Sequence, residues 1–289
     1  MFPIWEEISI RYKYNGFKLC MFSQFKQASV IISSALQRGL NYQFSVITYR
    51  IGEIAETLVL ILMWSAIYSG GSGVVKGFTL NEMITYVLVG NLFAVAVRSF
   101  LPSIVSRDIN EGRLSMFLVK PIPYIKYIFL NELGRIILST VLSLVSQLGV
   151  ILFFLDEIII NTDWRYILLT LLMLFFAFII ELLIGFLIGA MAFWTEEVDG
   201  LQSAVERIKR FFSGGYFPLS LLPIYLITAS KYLPFQYSFF APAQLYLKKV
   251  DLYQGAQGVL IQIVWVILLS FIVRVVWRRG LRKYEATGS

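Results

Sequence analysis

Charged side chains within long apolar runs are the residues of this chain most able to do chemistry. Arg50 and Glu53 lie three residues apart in one run, with Glu56 close behind them. Glu181 lies near the middle of another run. Charges at membrane depth are costly and usually face protein or water. Such carboxylates can exchange protons, line a polar path for a solute, or pair with a basic residue on a neighbouring helix.

Further charges favour pairing over a translocation lane or a proton site. Glu132 and Arg135 have the i,i+3 spacing of helix neighbours, and Arg135 could instead pair with Glu181 from another helix. Each acidic residue therefore has a plausible basic partner. The compact acidic candidates for enzymatic chemistry are Glu196, Glu197 and Asp199. The chain has no histidine to assist them as a general base.

A basic stretch, GLQSAVERIKRFF, covers residues 200–212 and carries Arg207, Lys209 and Arg210. A basic wall facing a solute path would favour an anionic or amphipathic cargo. Alternatively, these side chains lie at the cytoplasmic mouth and extend outward to water.

Composition places these residues in a membrane protein. Of 289 residues, 58% are hydrophobic and only 15% charged, with a mean hydropathy of +0.73. The net charge of +7 is spread between apolar runs, which indicates orientation by positive loops, not nucleic-acid binding. With one cysteine and no histidine, no metal site is expected. No GxxxxGK[ST] phosphate loop is present, so the chain does not bind a nucleotide through that device.

Six elements at membrane depth position these residues. They are expected at about 44–68, 80–101, 125–155, 166–194, 200–217 and 256–277. Basic residues concentrate before the first element, in the loop 101–125 and at the C-terminus, so both termini are predicted to be cytoplasmic. An N-terminal interfacial region, 1–43, precedes a single transmembrane domain over 44–289.

A proline-broken apolar segment lies between the last two elements. Residues 213–247 hold four of the eight prolines, namely Pro218, Pro223, Pro234 and Pro242. Proline removes a backbone donor, and freed backbone at membrane depth must be buried in protein or line a cavity. The segment is therefore predicted to enter the membrane and turn back.

Three stretches carry a resemblance to a known family. SGGYFPLSLLP with LPFQYSFFAPAQLYL, the loop DINEGRLSMFLVKPI and the ending RRGLRKYEATGS occur in this order over about 105–289. Together they resemble a bacterial branch of the ABC-2 type transporter permeases. The resemblance implies an all-α, six-span permease with a connecting helix at about 20–42. It also implies a coupling helix at about 106–116 in the loop 102–124, and an outer re-entrant helical pair at 218–248.

The resemblance also implies partners and a direction of transport. Two ABC ATPase subunits would bind ATP and Mg, while this chain binds no cofactor and catalyses no reaction. A second permease, identical or homologous, would complete an exporter of a lipid-like, glycan or drug-like substrate in a bacterial cytoplasmic membrane, in contact with membrane lipids. The ATPase-coupling candidates are Arg107, Asp108, Ile109, Glu111, Gly112, Arg113 and Leu114. The candidates for the translocation path or outer gate are Tyr216, Phe217, Pro218, Pro234, Phe235, Tyr237, Glu181, Arg207 and Arg210.

Two alternatives remain open at this point. A secondary transporter would use Glu181 or Glu53 and need no ATPase. An integral membrane enzyme that modifies lipids would need a metal or nucleotide site beside the acidic group at 196–199. The loop 102–124 itself is either a solvated positive loop or a docking surface for a cytoplasmic partner.

Overall fold

The computed structural model describes residues 27–39, 43–71, 73–119 and 122–287. Within them the chain is all-helical, as predicted. The helices are α1 (27–39), α2 (Gln43–Ser69), α3 (Leu80–Val97), α4 (Leu101–Asn110), α5 (Leu114–Leu118), α6 (Tyr124–Phe153), α7 (Trp164–Ala190), α8 (Asp199–Ser213), α9 (Ile224–Tyr232), α10 (Phe240–Tyr246) and α11 (Leu252–Thr287).

Within the described part of the chain, five helical stretches are long and apolar enough to cross a membrane. They are Ile47–Ser69, Leu80–Asn110, Tyr124–Phe153, Trp164–Phe193 and Leu252–Tyr284. They correspond to the first four predicted spans and the sixth. The predicted fifth span is the exception, because α8 has 15 residues and a strongly polar face. The count of six crossings therefore stays a prediction.

The second span contains a break that hydropathy alone does not indicate. Helix α3 ends at Val97, and α4 begins with Pro102 in its first turn. Proline has no backbone N–H and its ring clashes with the preceding turn, so Pro102 does not continue α3 but fits the first turn of α4. The freed N–H of Phe100 donates to Glu132 Oε1 of α6 at 2.5 Å. The intramembrane carboxylate of Glu132 thus compensates a helix break.

Gly185 and Gly189 of the fourth span pack against the residues around this break. A Cβ on Gly185 would lie 2.9 Å from Ser99 Oγ, and one on Gly189 would lie 2.7 Å from Val105 Cβ. Larger residues would force α7 away from α3 and α4. The GxxxG spacing of these glycines therefore packs helices closely, as expected for that motif.

The proline-broken segment folds into short helices around α7 and α8. Prolines begin α9 at Pro223 and a short 3-10 helix, Phe235–Ser238, at Pro234. Helix α8 ends at Gly214 with a φ of +81°. A Cβ at Gly214 would lie 2.8 Å from the hydroxyl oxygen of Tyr86, whose O–H donates to the Gly214 carbonyl at 2.7 Å. Glycine is therefore required at this turn. Whether the segment re-enters a membrane stays a prediction.

The N-terminal region is described only in part. Residues 27–39 of the predicted connecting helix 20–42 are helical, and 20–26 and 40–42 lie outside the described residues. Arg38 of α1 donates to Asn131 Oδ1 of α6 at 2.5 Å. Helix α1 is thereby held near the beginning of the third span.

Candidate functional site

A charged cavity lies among the spans. Its volume is about 560 Å³, within the range of about 300–1,000 Å³ typical of ligand sites. Helices α2, α3, α7 and α8 supply most of its lining, and residues 238 and 239 complete it. Its charged lining residues are Glu53, Glu56, Arg98, Glu181, Glu206, Lys209 and Arg210.

The predicted pairing of Arg50 with Glu53 is confirmed on one wall of the cavity. Arg50 Nη1 lies 2.5 Å from Glu53 Oε2. Glu53 also accepts hydrogen bonds from two residues of α6, Ser143 and Gln147, the latter at 2.7 Å. Arg50 donates to Ser139 Oγ at 2.8 Å. These contacts fasten the first span to the third and give the pair a structural role.

Glu181 joins three elements through a different partner from the one expected. Its carboxylate pairs with Lys209 of α8 and accepts a hydrogen bond from Ser238 Oγ at 3.1 Å. The suggested partner Arg135 instead lies 3.8 Å from Glu132, with its guanidinium 4.6 Å from the ring centroid of Phe100. The suggested pairing of Glu181 with Arg135 is therefore wrong. The broader expectation that Glu181 has a basic partner is correct.

Glu56 and Arg210 form an ion pair between α2 and α8. The guanidinium also lies 4.8 Å from the ring centroid of Tyr216, in a cation–π contact. Arg207, one turn earlier on α8, is exposed and does not line the cavity. Two of the three basic residues of this stretch are thus neutralised by acidic partners, so they form no continuous basic wall.

Arg98 and Glu206 are the cavity residues whose charges are not matched in this way. Arg98 caps the end of α3, and its guanidinium lies 5.4 Å from the ring centroid of Tyr49. Glu206 on α8 accepts a hydrogen bond of 3.3 Å from Gln202. Within the described part of the chain, neither side chain has an opposite charge within 4 Å.

A largely apolar groove of about 490 Å³ lies beside the cavity, between α2 and the chain that follows α8. It is lined by Leu60, Met63, Trp64, Tyr216, Phe217, Leu221 and Leu222. Two of the predicted outer-gate aromatics, Tyr216 and Phe217, therefore face a cleft.

The other outer-gate candidates occupy packed positions. Pro218 and Pro234 are buried, and Phe235 is half-buried. Tyr237 is 3% exposed and packs against Met173 of α7. Its hydroxyl donates to the carbonyl oxygen of Lys231 at 3.0 Å. Tyr237 thus fastens the end of α9 to the fourth span.

The predicted coupling loop contains two helices, where a single helix over 106–116 was expected. Helix α4 ends at Asn110, Gly112 follows with a φ of +71°, and α5 begins at Leu114. The prediction of a single helix is therefore wrong, because Gly112, in the left-handed region, separates two short helices. Lys120 and Pro121 lie outside the described residues.

The coupling candidates divide into exposed and buried side chains. Asp108 is 8% exposed and accepts a hydrogen bond from the Tyr124 hydroxyl at 2.9 Å. Ile109 and Leu114 are also buried. The accessible candidates are Arg107, Glu111, Gly112 and Arg113, with an ion pair between Glu111 and Arg113.

An aromatic cluster connects this loop to the last span. The ring of Tyr124 stacks on Trp277 of α11, with 5.3 Å between centroids and 5° between planes. Trp277 also contacts Phe193, which in turn contacts Tyr284. Asp108 and Tyr124 thus connect α4 to α6 and α11 by direct contacts.

A comparison with known protein families identifies the family to which this chain belongs. Residues 54–288 match the family described as ABC-2 family transporter protein. The chain belongs to this family. No curated protein matches it significantly in sequence. As an ABC-2 permease it is a membrane-embedded transport protein, a non-catalytic subunit of a kind that generally works with ABC ATPases.

Several cavity residues were not predicted from the sequence. Arg98 has no acidic residue at helical spacing, and Glu206 pairs with neither Lys209 nor Arg210, although both lie at helical spacing from it. Ser238 lies in the broken segment far from Glu181 in sequence. Arg98 precedes the Pro102 break by four residues. A charge next to a proline inside an apolar run is the signal that could have identified it.

Proposed function

We propose that this chain is the transmembrane permease subunit of an ATP-driven ABC-2 exporter. Two separate ABC ATPase subunits bind ATP and Mg, and a second permease, identical or homologous, completes the assembly. The chain lies in a bacterial cytoplasmic membrane with both termini in the cytoplasm. α8 supplies the fifth of six crossings, and the segment 218–248 forms the outer re-entrant pair.

The observation that carries this proposal is the charged cavity among the spans. Its polar lining comes from α2, α3 and α7, each within a stretch long enough to cross a membrane, and from the amphipathic helix α8. Placing so many charged side chains around a cavity inside an apolar bundle costs desolvation free energy. Such an arrangement therefore contributes little to the stability of the fold. A path for a polar or amphipathic solute explains why the space and its charges coexist.

The exposed face of the α4–α5 turn supports the coupling assignment. It combines Arg107, Glu111 and Arg113 with two exposed apolar residues, Met116 and Val119. A surface with opposite charges and an apolar centre suits specific protein docking. Asp108 and Leu114 act from inside, where they hold the turn against α6 and the core.

The docking proposal is tested by charge reversal. With the cognate ABC ATPase co-expressed, Arg107→Glu with Arg113→Glu should reduce co-purification of the ATPase about tenfold or more, since two charge contacts are reversed. Arg165→Glu, at an exposed position in the first turn of α7, is the matched control and should retain the ATPase. Equal retention by the docking variant and the control would reject this face as the docking site.

A further inference from the structure

The charged cavity and the apolar groove adjoin each other along α2 and α8 and are together called the cleft. Glu56 of the cavity and Leu60 of the groove are one helical turn apart on α2. Gly215 of the cavity is followed directly by Tyr216 of the groove. The two compartments therefore meet at the same level on both sides of the cleft.

The ion pair of Glu56 and Arg210 marks the boundary between the compartments. The side chains are 43% and 38% exposed, so the pair lies at the accessible surface of the cleft and does not seal it. Its charges cancel, and Arg210 rests on the ring of Tyr216. A neutral stretch of a ligand can pass over such a pair without leaving a charge unmatched.

The end of the cavity away from the groove carries the two unmatched charges. Arg98 is beside Tyr49, eleven residues before Leu60 on α2, which places it roughly 16 Å from the groove at 1.5 Å per residue. Glu206 lies four residues before Arg210 on α8, on the same side. Arg98 interacts electrostatically with Glu206 and with Glu181, yet neither carboxylate forms an ion pair with it within 4 Å.

We propose that this cleft binds one zwitterionic amphiphile. Arg98 binds the anionic group of its head, Glu206 binds the cationic group, and the apolar tail lies in the groove beside Trp64 and Tyr216. The inference rests on the proposed function and narrows its substrate to a class, namely lipid-like molecules whose head carries both charges.

Charge complementarity selects this occupant over its alternatives. A purely anionic head would satisfy Arg98 but approach the unmatched carboxylate of Glu206. A neutral head would gain no charge-assisted contact with either side chain. A soluble zwitterion without a tail would leave the aromatic groove empty. A head with both charges on an apolar tail satisfies every part of the cleft.

The first test needs no variant and no ATP. Fluorescently labelled lysophosphatidylcholine, lysophosphatidylglycerol and a monoacylglycerol of the same chain length are titrated into the purified permease in a neutral maltoside detergent. The proposal predicts that lysophosphatidylcholine binds about tenfold more tightly than lysophosphatidylglycerol, from which it differs by one charge-assisted contact, and more tightly still than the monoacylglycerol, which lacks both contacts. Equal binding of the three probes, or tightest binding of the anionic one, would overturn it.

Substitutions at two residues, Arg98 and Glu206, assign the contacts. Arg98→Gln should weaken both phosphate-bearing probes about tenfold, which brings lysophosphatidylglycerol to the level of the monoacylglycerol while lysophosphatidylcholine keeps its contact with Glu206. Arg98→Lys should keep most of the binding. Glu206→Gln should weaken lysophosphatidylcholine and remove the repulsion of lysophosphatidylglycerol, so that the two probes bind equally. The matched controls, Arg165→Gln and Glu197→Gln, are exposed outside the cleft and should bind like the wild type. Unchanged selectivity in both cleft variants would refute the assignment.

These outcomes are distinct from failure of the proposed function. Binding is measured on the permease alone, so selective binding together with transport that ignores ATP would reject the ATP-driven mechanism and retain the site. ATP-driven transport together with unselective binding would reject the site and retain the mechanism.

Discussion

Glu181 and Lys209 should respond unequally when either charge is removed, because the protein buries them unequally. The carboxylate of Glu181 is 5% exposed and the ammonium-bearing side chain of Lys209 is 22% exposed. Glu181 has one further partner, Ser238, which donates to it at 3.1 Å. Lys209 is on the wall of an open cavity, so water can reach it.

The two single substitutions differ in what they leave behind. Lys209→Met leaves a buried carboxylate with one neutral hydrogen bond, and breaking a buried pair in this way costs about 3–5 kcal/mol of unfolding free energy. Glu181→Gln keeps an oxygen that accepts from Ser238 and leaves a lysine that can turn to water, so its cost is about 1–3 kcal/mol. The double substitution removes both charges and should cost about 2 kcal/mol less than the sum of the single costs.

The measurement is unfolding of the purified chain by SDS titration, followed by circular dichroism. Lys231→Met, at an exposed position on α9, is the control for loss of a lysine and should have little effect. Equal costs for the two single substitutions, or strict additivity, would refute the burial argument. Transport by Glu181→Gln adds a second result: retained transport assigns the pair to structure, and lost transport at unchanged stability assigns Glu181 to the path.

Three further substitutions test the helix ends and breaks. Gly214→Ala should lower the unfolding free energy by about 1–3 kcal/mol because of its positive φ; Gly200→Ala has open space and should be neutral or stabilising, measured by the same titration. Glu132→Leu should cost about 1–3 kcal/mol because the α3–α4 break loses its acceptor, while Glu132→Gln costs less. Pro218→Ala with Pro234→Ala should impair transport more than membrane insertion, assayed by flotation and uptake into vesicles; lost insertion would assign the prolines to folding.

Hydropathy predicted the spans well where one helix is apolar throughout. The first, third and fourth predicted spans agree with α2, α6 and α7 to within a few residues, because length and apolarity alone determine such helices. Hydropathy was less successful in predicting α8, because the polar face of this helix lines a cavity formed with other helices. A helix that lines a cavity need not be apolar, so its sequence resembles that of a short surface helix.

Pairing across the bundle was the least predictable part of the site. The partners Arg50 and Glu53 are three residues apart, and local geometry brings them together. Glu181 and Lys209 are 28 residues apart on different helices, and their contact depends on how α7 packs on α8. The split of the coupling loop likewise depends on one left-handed glycine, Gly112, which the pattern of charges around it does not indicate.

A transport assay is the most direct test of the proposal that this permease is part of an ATP-driven exporter. The permease is reconstituted into vesicles with its ABC ATPase, and export of labelled lysophosphatidylcholine is followed with ATP present, with a hydrolysis-deficient ATPase, and with a proton gradient alone. An ATP-driven exporter should transport the labelled lipid only with ATP and the active ATPase. Transport driven by the proton gradient without an ATPase would contradict the proposal and identify the chain as a secondary transporter.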